Sequence, residues 1–223
     1  MVPIITSWNA QKDRINDIGS KRFALDTGQE LVHFYSVDNL VPHADSNNWV
    51  DPKLCGKEKL PLHSSLNVAE ASALWDVSPC TSEHVAGKLS LCLGMPVMIK
   101  HNDATELCIT KGQEALVVGW QALTGPDGQC ILDTLFVKLI EPPKTVMIPG
   151  LAENIVALSR AEQVLVLPNF AMTDYSSQGK TCKYNVVDLH NCKTHFSNCM
   201  CLSRSSIMEG TIIVQGWDSS LIT

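Results

Sequence analysis

The sequence predicts an α/β fold, in which a parallel sheet carries helices on both faces and is interrupted by a β-rich insertion. Short apolar runs typical of buried strands occur near both ends of the chain, at residues 2–6, 186–189 and 211–215. Segments that favour helices lie between these strands. From residue 89 the pattern changes to short apolar runs separated by Gly and Asp turns, which is typical of antiparallel β structure.

Residues 1–88 predict the first part of the α/β domain. After the strand at residues 2–6, either Ser7 or Asn9 can cap a helix, because both side chains carry an oxygen that accepts from free backbone N–H groups. Residues 31–37 alternate apolar and polar side chains and predict another strand.

The boundaries of this first part carry two further predictions. Residues 38–64 are rich in Pro, Asn, Asp and Lys and predict a loop, and Asn67 with Glu70 three residues later predicts the start of a short helix. The first predicted strand follows Met1 directly, which is an abrupt beginning for a parallel α/β domain. We therefore expect another domain before this one.

Residues 89–163 predict the β-rich insertion, and residues 164–223 predict the remainder of the α/β domain. The apolar runs of the middle region are residues 89–99, 115–121, 131–140, 146–148, 155–158 and 164–167. Gly125–Gly128 is a strong turn signal between two of them. In the remainder, Phe170–Ser177 predicts one short helix and Ser197–Ser203 predicts a second.

The composition is that of a folded protein with an acidic balance. Hydrophobic residues make up 45% and charged residues 18%, and the net charge is −6. Because counterion release rewards Lys and Arg, this charge argues against a free-standing, non-specific nucleic-acid binder but allows a local basic strip. Nine cysteines without a secretion signal predict reduced thiols in an intracellular protein. No apolar run approaches the ~20 residues that span a bilayer.

Two short segments carry the chemistry. The first, Thr173–Thr181, combines hydroxyls, an amide and a glycine in a turn, and such turns bind phosphate oxygens without sequence preference. The second, Cys201–Ser205, places Arg204 directly after a short apolar helix. A guanidinium offers a fixed fork of donors and a charge that does not titrate, which suits a transferring phosphoryl group.

A complete ATPase site is absent from the sequence. Gly179-Lys180-Thr181 imitates the end of a phosphate-binding loop, but the glycine required five residues earlier is Asp174. No Asp-Glu pair follows an apolar strand to hold magnesium. We therefore expect ATP and magnesium to bind only in combination with an N-terminal ATPase domain, and we expect no hydrolysis by this chain alone.

The cysteines and histidines of the last part predict no metal site. The group consists of Cys182, His190, Cys192, His195, Cys199 and Cys201. Only His195 and Cys199 have the spacing of a structural zinc pair. Buried thiols that pack like small apolar side chains are the alternative that fits the other positions.

The two segments, in this order, resemble the C-terminal part of the PIF and RecD-type superfamily-one DNA helicases, especially their fungal Helitron-like versions. Thr173–Thr181 is similar to the family's helicase motif five, and Cys201–Ser205 is similar to motif six. Further similar landmarks are Gly94–Met98 with Asn102, Ile109–Gly112, the strand Val186–Leu189, and the pair Asn9 and Asn16 near motif four.

The resemblance implies a RecA-like second domain and a role for each motif residue. Arg204 would be the arginine finger that reaches the γ-phosphate of ATP bound mainly by the preceding RecA-like domain. Together with Arg204, Gln178 and Gly179 would line the nucleotide cleft. The residues implied near the backbone of single-stranded DNA are Thr173, Ser176 and Ser177. An N-terminal ATPase domain, in cis or in trans, and single-stranded DNA are the implied partners, and the nucleus is the implied location.

One departure and two alternatives accompany this interpretation. The family's motif-five lysine is Ser176 here, which removes a phosphate-seeking charge and predicts weak, salt-dependent DNA binding. The stretch between Ile155 and Val164 is also short for the family's insertion. The alternatives are an inactive transposon-derived fragment and an interaction module whose β-rich insertion binds protein or single-stranded nucleic acid.

Overall fold

The computed structural model of the chain describes residues 2–37, 68–81, 85–125, 128–159 and 163–215. The predicted loop at residues 38–64, the cap at Asn67 and the centre of the Gly125–Gly128 turn lie outside the described residues. In chain order the helices and strands are β1 (Ile4–Thr6), α1 (Asn9–Thr27), β2 (Val32–Tyr35), α2 (Val68–Trp75), β3 (Lys88–Leu91), β4 (Pro96–Ile99), β5 (Glu114–Thr124), β6 (Cys130–Leu139), β7 (Ile155–Ser159), β8 (Val166–Pro168), β9 (Ala171–Thr173), β10 (Asn185–Asp188), α3 (His195–Leu202) and β11 (Thr211–Gln215).

The predicted α/β fold class is confirmed by a four-stranded, all-parallel sheet in the order β11-β10-β1-β9. Strand β1 lies in the middle, where Ile4 pairs with Val186 on one side and with Ala171 on the other. Thr6 pairs with Thr173, so the motif-five segment returns to the sheet of the first strand, as predicted. Helix α1 packs on β1 and β9, and α3 packs on β10.

An antiparallel sheet in the order β7-β6-β5-β4-β8 forms the second layer of the molecule. The long β5–β6 hairpin is its centre, and the larger apolar core lies beneath it. The separate β2–β3 pair is joined to this core by Phe34, whose ring meets Trp120 edge to face at 5.5 Å. The β2–β3 and β4–β8 pairings cross the predicted boundaries at residues 88/89 and 163/164, and the three-part division stays a prediction.

Three local predictions are wrong. Phe170–Ser177 is not a helix: the apolar residues before Thr173 form β9, because they pair with β1, and only Tyr175–Ser177 makes a single 3₁₀ turn. The apolar run at residues 89–99 is two strands, since Gly94 turns the chain at φ 74°. Helix α1 begins after Trp8, which occupies the cap position without a side-chain hydrogen bond.

Helix α1 is fastened to the sheet by Asn16, which is buried. Its Oδ1 accepts from the backbone N–H groups of Phe170 at 2.9 Å and Ala171 at 2.8 Å, and its Nδ2 donates to the Ala171 carbonyl at 3.2 Å. Gly19 allows the Phe170 ring to approach the helix, because a Cβ there would lie 2.5 Å from the ring. No helix in the described ranges is long and apolar enough to cross a membrane.

We expect Asn16→Ala to destabilise the protein by about 2–4 kcal/mol, because it leaves two buried backbone N–H groups without an acceptor. Urea unfolding followed by circular dichroism measures this change. The matched control is Asp17→Ala on the same helix, whose carboxylate makes only exposed ion pairs with Arg14 and Lys21 and should change stability by less than about 0.5 kcal/mol. Equal effects of the two substitutions would show that Asn16 does not fasten the helix.

Candidate nucleic-acid interface and nucleotide-facing turn

A cavity of about 420 Å³ opens where the parallel sheet meets the antiparallel sheet. Its lining residues are Asn9, Lys12, Met98, Lys100, Lys111, Gly112, Thr173, Tyr175 and Ser176. They come from four places in the chain: the start of α1, the end of β4, the turn before β5, and the end of β9. We call this cavity the lysine cleft, since three of its nine lining residues are lysines.

The three lysines differ in depth. Lys12 is buried, with its ammonium 2.9 Å from a carboxylate oxygen of Asp13 and 3.4 Å from Asn9 Oδ1. Lys100 is half-buried and Lys111 is exposed. The charge of Lys12 is balanced by Asp13, so Lys100 and Lys111 supply the unbalanced positive charge of the cleft.

The backbone holds Lys100 and Lys111 in place. Lys100 N donates to the carbonyl of Leu165 at 2.9 Å, which keeps the end of β4 against the strand region that leads into β8. Lys111 N donates to Asn102 Oδ1 at 2.7 Å, and the next residue, Gly112, turns with φ 92°. Asn102 and Ile109–Gly112 were landmarks of the sequence, and their role here is to position a lysine on a fixed turn.

Burial first, and then the neighbouring charges of Lys12 and Lys111, lower the pKa of Lys100 to about 8. Asp13 acts in the opposite direction, and Lys180 makes a smaller contribution that lowers the pKa. Among the described residues, its ammonium makes one contact that qualifies as a hydrogen bond, a 3.9 Å approach to the sulfur of Met98. An ammonium in this setting gains from an anion in the cleft, because the anion would restore the lost solvation and offset the repulsion.

Thr173 and Ser176 line the cleft, whereas Ser177 does not. Thr173 Oγ1 donates to Ser176 Oγ at 3.0 Å and accepts from Ser176 N at 3.2 Å, which closes a local turn. Ser177 has no exposed surface, and its hydroxyl donates to the Asp174 carbonyl at 2.6 Å. The side chain of Ser177 therefore stabilises the turn and is not available to DNA in this conformation.

Gln178 and Gly179 lie at the exposed end of the same turn. Gly179 has φ 80°, in the left-handed region that favours glycine, and a Cβ there would meet no atom within 4 Å. A substitution at Gly179 would therefore strain the backbone without filling a cavity. The next residue, Lys180, points back to β5 and pairs with Glu114 Oε1 at 2.5 Å.

Arg204 lies against this turn. Its Nη1 is 3.4 Å from the carbonyl oxygens of both Ser177 and Lys180, the two residues that flank Gln178 and Gly179. Its Nε donates to the Met200 carbonyl at 3.0 Å. No ion pair joins the guanidinium to a carboxylate within the part of the chain that the structure describes, Glu209 included. The guanidinium thus lies beside an exposed turn, bonded to backbone carbonyls and to Ser203 Oγ at 2.7 Å.

Hydrogen bonds join helix α3 and the residues around it to the motif-five turn. Thr194 caps the helix by accepting from Ser197 N at 3.1 Å, and the Ser197 hydroxyl donates to the carboxylate of Asp174. At the other end of the helix, Cys182 N donates to the Arg204 carbonyl at 2.7 Å. The two segments that the sequence singled out are therefore linked at both ends of α3.

A second polar cluster, which sequence reasoning missed, lies at the carboxyl ends of β1 and β10. Gln11 Oε1 accepts from Thr6 Oγ1 at 2.7 Å and from Asn191 Nδ2 at 2.9 Å, and Gln11 Nε2 donates to the Asp188 carboxylate. Asp188 also accepts from His190 N at 3.0 Å. Because these groups satisfy one another, the cluster fixes the loop after β10 and offers no free ligand.

Most of the described cysteines are buried or half-buried. Cys192 and Cys201 are buried with their sulfurs 3.9 Å apart, and burial raises the pKa of the Cys201 thiol. Cys199 is exposed and lies 3.6 Å from the His195 ring. No group of three or more potential ligands is arranged to hold a metal ion in the described parts of the chain.

Sequence reasoning also missed Lys12, Lys100 and Lys111. They lie far apart in the chain: Lys12 follows the predicted cap at Ser7 or Asn9, Lys100 follows the apolar run at residues 89–99, and Lys111 lies in the landmark Ile109–Gly112. Their convergence depends on the packing of the two sheets. Asn9 and Asn16 resemble a pair in the family but have different roles here. Asn9 lines the cleft, whereas Asn16 bonds helix α1 to the backbone of β9.

We expect the lowered pKa of Lys100 to appear as a pH dependence of stability. The folded state disfavours the charged form of Lys100, which lowers the free energy of unfolding. This loss of stability is complete below pH ~8 and disappears as pH rises towards the ordinary pKa of 10.5. Between about pH 7.5 and 9.5 the wild type should gain on the order of 1 kcal/mol relative to Lys100→Met, after a discount for partial exposure. Urea unfolding at the two pH values measures the difference. A difference that does not change with pH would contradict the assignment.

The chain has the fold of solved Pif1 helicases. The Candida albicans Pif1 helicase superposes with a TM-score of 0.58 at 14% identity, over 99% of this chain and 47% of that one. Bacteroides Pif1 in complex with ADP-AlF3 and ssDNA gives 0.55 at 15% identity, over 100% and 42%. No protein-family profile and no curated protein matches the chain. The chain spans less than half the length of these solved structures, and the likeness establishes a RecA-like α/β fold shared with them.

Proposed function

We propose that the chain is the second RecA-like domain of an ATP-dependent DNA helicase of the PIF and RecD type. It holds the backbone of single-stranded DNA in the lysine cleft and presents Arg204 to a nucleotide bound by a preceding domain. The observation that carries the proposal is the convergence of Lys100, Lys111, Thr173 and Ser176 on one cavity. That cavity shares a turn with Arg204.

The chemistry of the cleft is that of a phosphate-backbone site. Ammonium groups and hydroxyls bind phosphate oxygens without reading bases, as a translocating enzyme requires. The net charge of −6 does not oppose this, because surface charges beyond about 10 Å are screened at ordinary ionic strength. The local charge of Lys100 and Lys111 therefore decides whether a phosphate binds.

The connection between cleft and Arg204 supports a coupling role. Thr173 and Ser176 face the cleft, and the carbonyls of Ser177 and Lys180 accept from the Arg204 guanidinium a few residues later. A shift of the turn on DNA binding would move Gln178, Gly179 and Arg204 together. Transfer of a γ-phosphoryl group depends on such a positioned guanidinium, which stabilises charge in the transition state.

The nucleotide side of the proposal needs a second domain. The sequence has no complete phosphate-binding loop, so ATP and magnesium would be held mainly by an N-terminal ATPase domain, in cis or in trans. Bacteroides Pif1, which has this fold over part of its length, was solved with ADP-AlF3 and ssDNA together. The presence of both ligands in that complex supports the proposal that this chain lies beside nucleotide and DNA. A nuclear location is part of the same proposal.

The first test measures DNA binding by the chain as a function of salt. Binding of oligothymidylate should be weak, and log K should decrease as log salt rises. In Lys111→Ala the magnitude of this negative slope should decrease by about one, because one phosphate contact is lost. Fluorescence anisotropy measures both quantities. Lys21→Ala, whose ammonium pairs with Asp17 on the outer face of α1, is the matched control and should leave the slope unchanged. Identical slopes for the wild type and both variants would contradict the proposed cleft.

The second test concerns Arg204 in a protein that joins this chain to a RecA-like ATPase domain. Arg204→Ala should lower the DNA-stimulated hydrolysis rate by roughly 10³–10⁵-fold with little change in nucleotide affinity. Arg204→Lys should fail nearly as badly, since a point charge does not replace a fork. Steady-state kinetics decides the matter, and a wild-type rate in Arg204→Ala would exclude the finger role.

A further inference from the structure

Tyr175 is the aromatic residue at the rim of the lysine cleft, and 79% of its surface is exposed. It belongs to the motif-five turn, between Thr173 and Ser176. The proposed backbone contacts give its exposed ring no role. Tyrosine is enriched at interfaces, because its ring offers a large apolar face and its hydroxyl a polar end.

The backbone beneath the ring is fixed. Tyr175 N donates to Asp174 Oδ1 at 2.8 Å, and the Tyr175 carbonyl accepts from Gln178 N at 3.3 Å. Asp174 is held in turn by the hydroxyl of Ser197 on α3. The ring therefore projects from a preorganised turn, and binding a partner against it costs little ordering of the backbone.

Two other exposed aromatic rings already have cationic partners. The ammonium of Lys193 lies 5.1 Å from the centre of the Trp8 ring, and that of Lys183 lies 5.5 Å from the Tyr184 ring. Tyr175 has no cation or ring partner among the residues that the structure describes. Its face is free for a flat ligand, and the cleft beside it fits the phosphate of the same ligand.

We propose that Tyr175 stacks on a base of the single strand whose backbone lies in the lysine cleft. The inference rests on the proposed DNA-binding function and adds a contact that reads no sequence, because every base has a face that can stack. Stacking is insensitive to salt, unlike the phosphate contacts. Tyr175 thus compensates, by a different kind of interaction, for the charge that is absent at Ser176.

The test compares Tyr175→Ala, Tyr175→Phe and Lys111→Ala for binding to oligothymidylate over a range of salt. Tyr175→Ala should weaken binding by about tenfold at every salt concentration with an unchanged slope, whereas Tyr175→Phe should stay within about twofold of the wild type. Lys111→Ala should instead reduce the magnitude of the salt slope. Because the ring is exposed, the urea midpoint of all three variants should match that of the wild type, which excludes a folding defect.

The outcomes separate this inference from the proposed function. If Lys111→Ala lowers the slope and Tyr175→Ala binds like the wild type, the stacking contact is wrong and the cleft stands. If neither substitution affects binding, both are wrong. If Tyr175→Phe is as weak as Tyr175→Ala, the phenol hydroxyl and not the ring makes the contact, and stacking is excluded.

A second readout addresses the base directly. An oligothymidylate with abasic sites in place of its bases keeps the phosphates and removes the stacking partners. On this strand the wild type and Tyr175→Ala should bind equally, so the tenfold difference should vanish. A difference that persists on the abasic strand would overturn the proposal.

Discussion

The arrangement of the molecule depends on the parallel pairing of β1 with β9 on one side and with β10 on the other. Strand β1, near the start of the chain, thereby pairs with two strands from near its end. Asn16 of α1 strengthens this arrangement by accepting a hydrogen bond from the backbone N–H of Ala171 in β9. Because β9 ends at Thr173, the pairing places the motif-five turn beside the start of α1. The end of β4 reaches the same place, since β4 pairs with β8 just before β9 begins. These pairings bring the start of α1, the end of β4 and the Thr173–Ser176 turn together, and hydrogen bonds to Asn102 and Ile99 hold the turn that carries Lys111 and Gly112.

Charge has a local role in this protein that the overall balance conceals. Carboxylates outnumber cationic side chains, with 23 Asp and Glu against 17 Lys and Arg. Among the described residues, however, Lys12 is the only one of the three cleft lysines with a carboxylate within ion-pair distance. Placing Lys100 here costs stability, because burial first and the neighbouring lysines second lower its pKa. Perturbed pKa values of this kind cluster at functional sites, and a ligand of opposite charge would relieve the cost.

The sequence predicted the features that depend on local pattern. The strand at residues 186–189, the helix that includes Ser197 and the closing strand all follow from apolar periodicity, and the motif landmarks indicated the order of the fold. The sequence of Phe170–Ser177 favours a helix only weakly, because a short apolar run has no decisive period, and pairing with β1 determines that Ala171–Thr173 is a strand. The convergence of Lys100 and Lys111 could not be predicted, because it depends on how two sheets pack. The burial of Ser177 beside the accessible Ser176 is likewise a property of the folded turn.

If a strand of nucleic acid lies in the lysine cleft, it shields the lysines of the cleft from chemical modification, and a protection experiment measures this. The chain is treated with a lysine-acetylating reagent with and without oligothymidylate, and acetylation at each position is measured by mass spectrometry. We predict that the strand protects Lys100 and Lys111, while Lys21 on the outer face of α1 and Lys183 beside Tyr184 react equally in both samples. Protection of Lys21 or Lys183 with unchanged reaction at Lys100 and Lys111 would place the nucleic acid elsewhere and contradict the account.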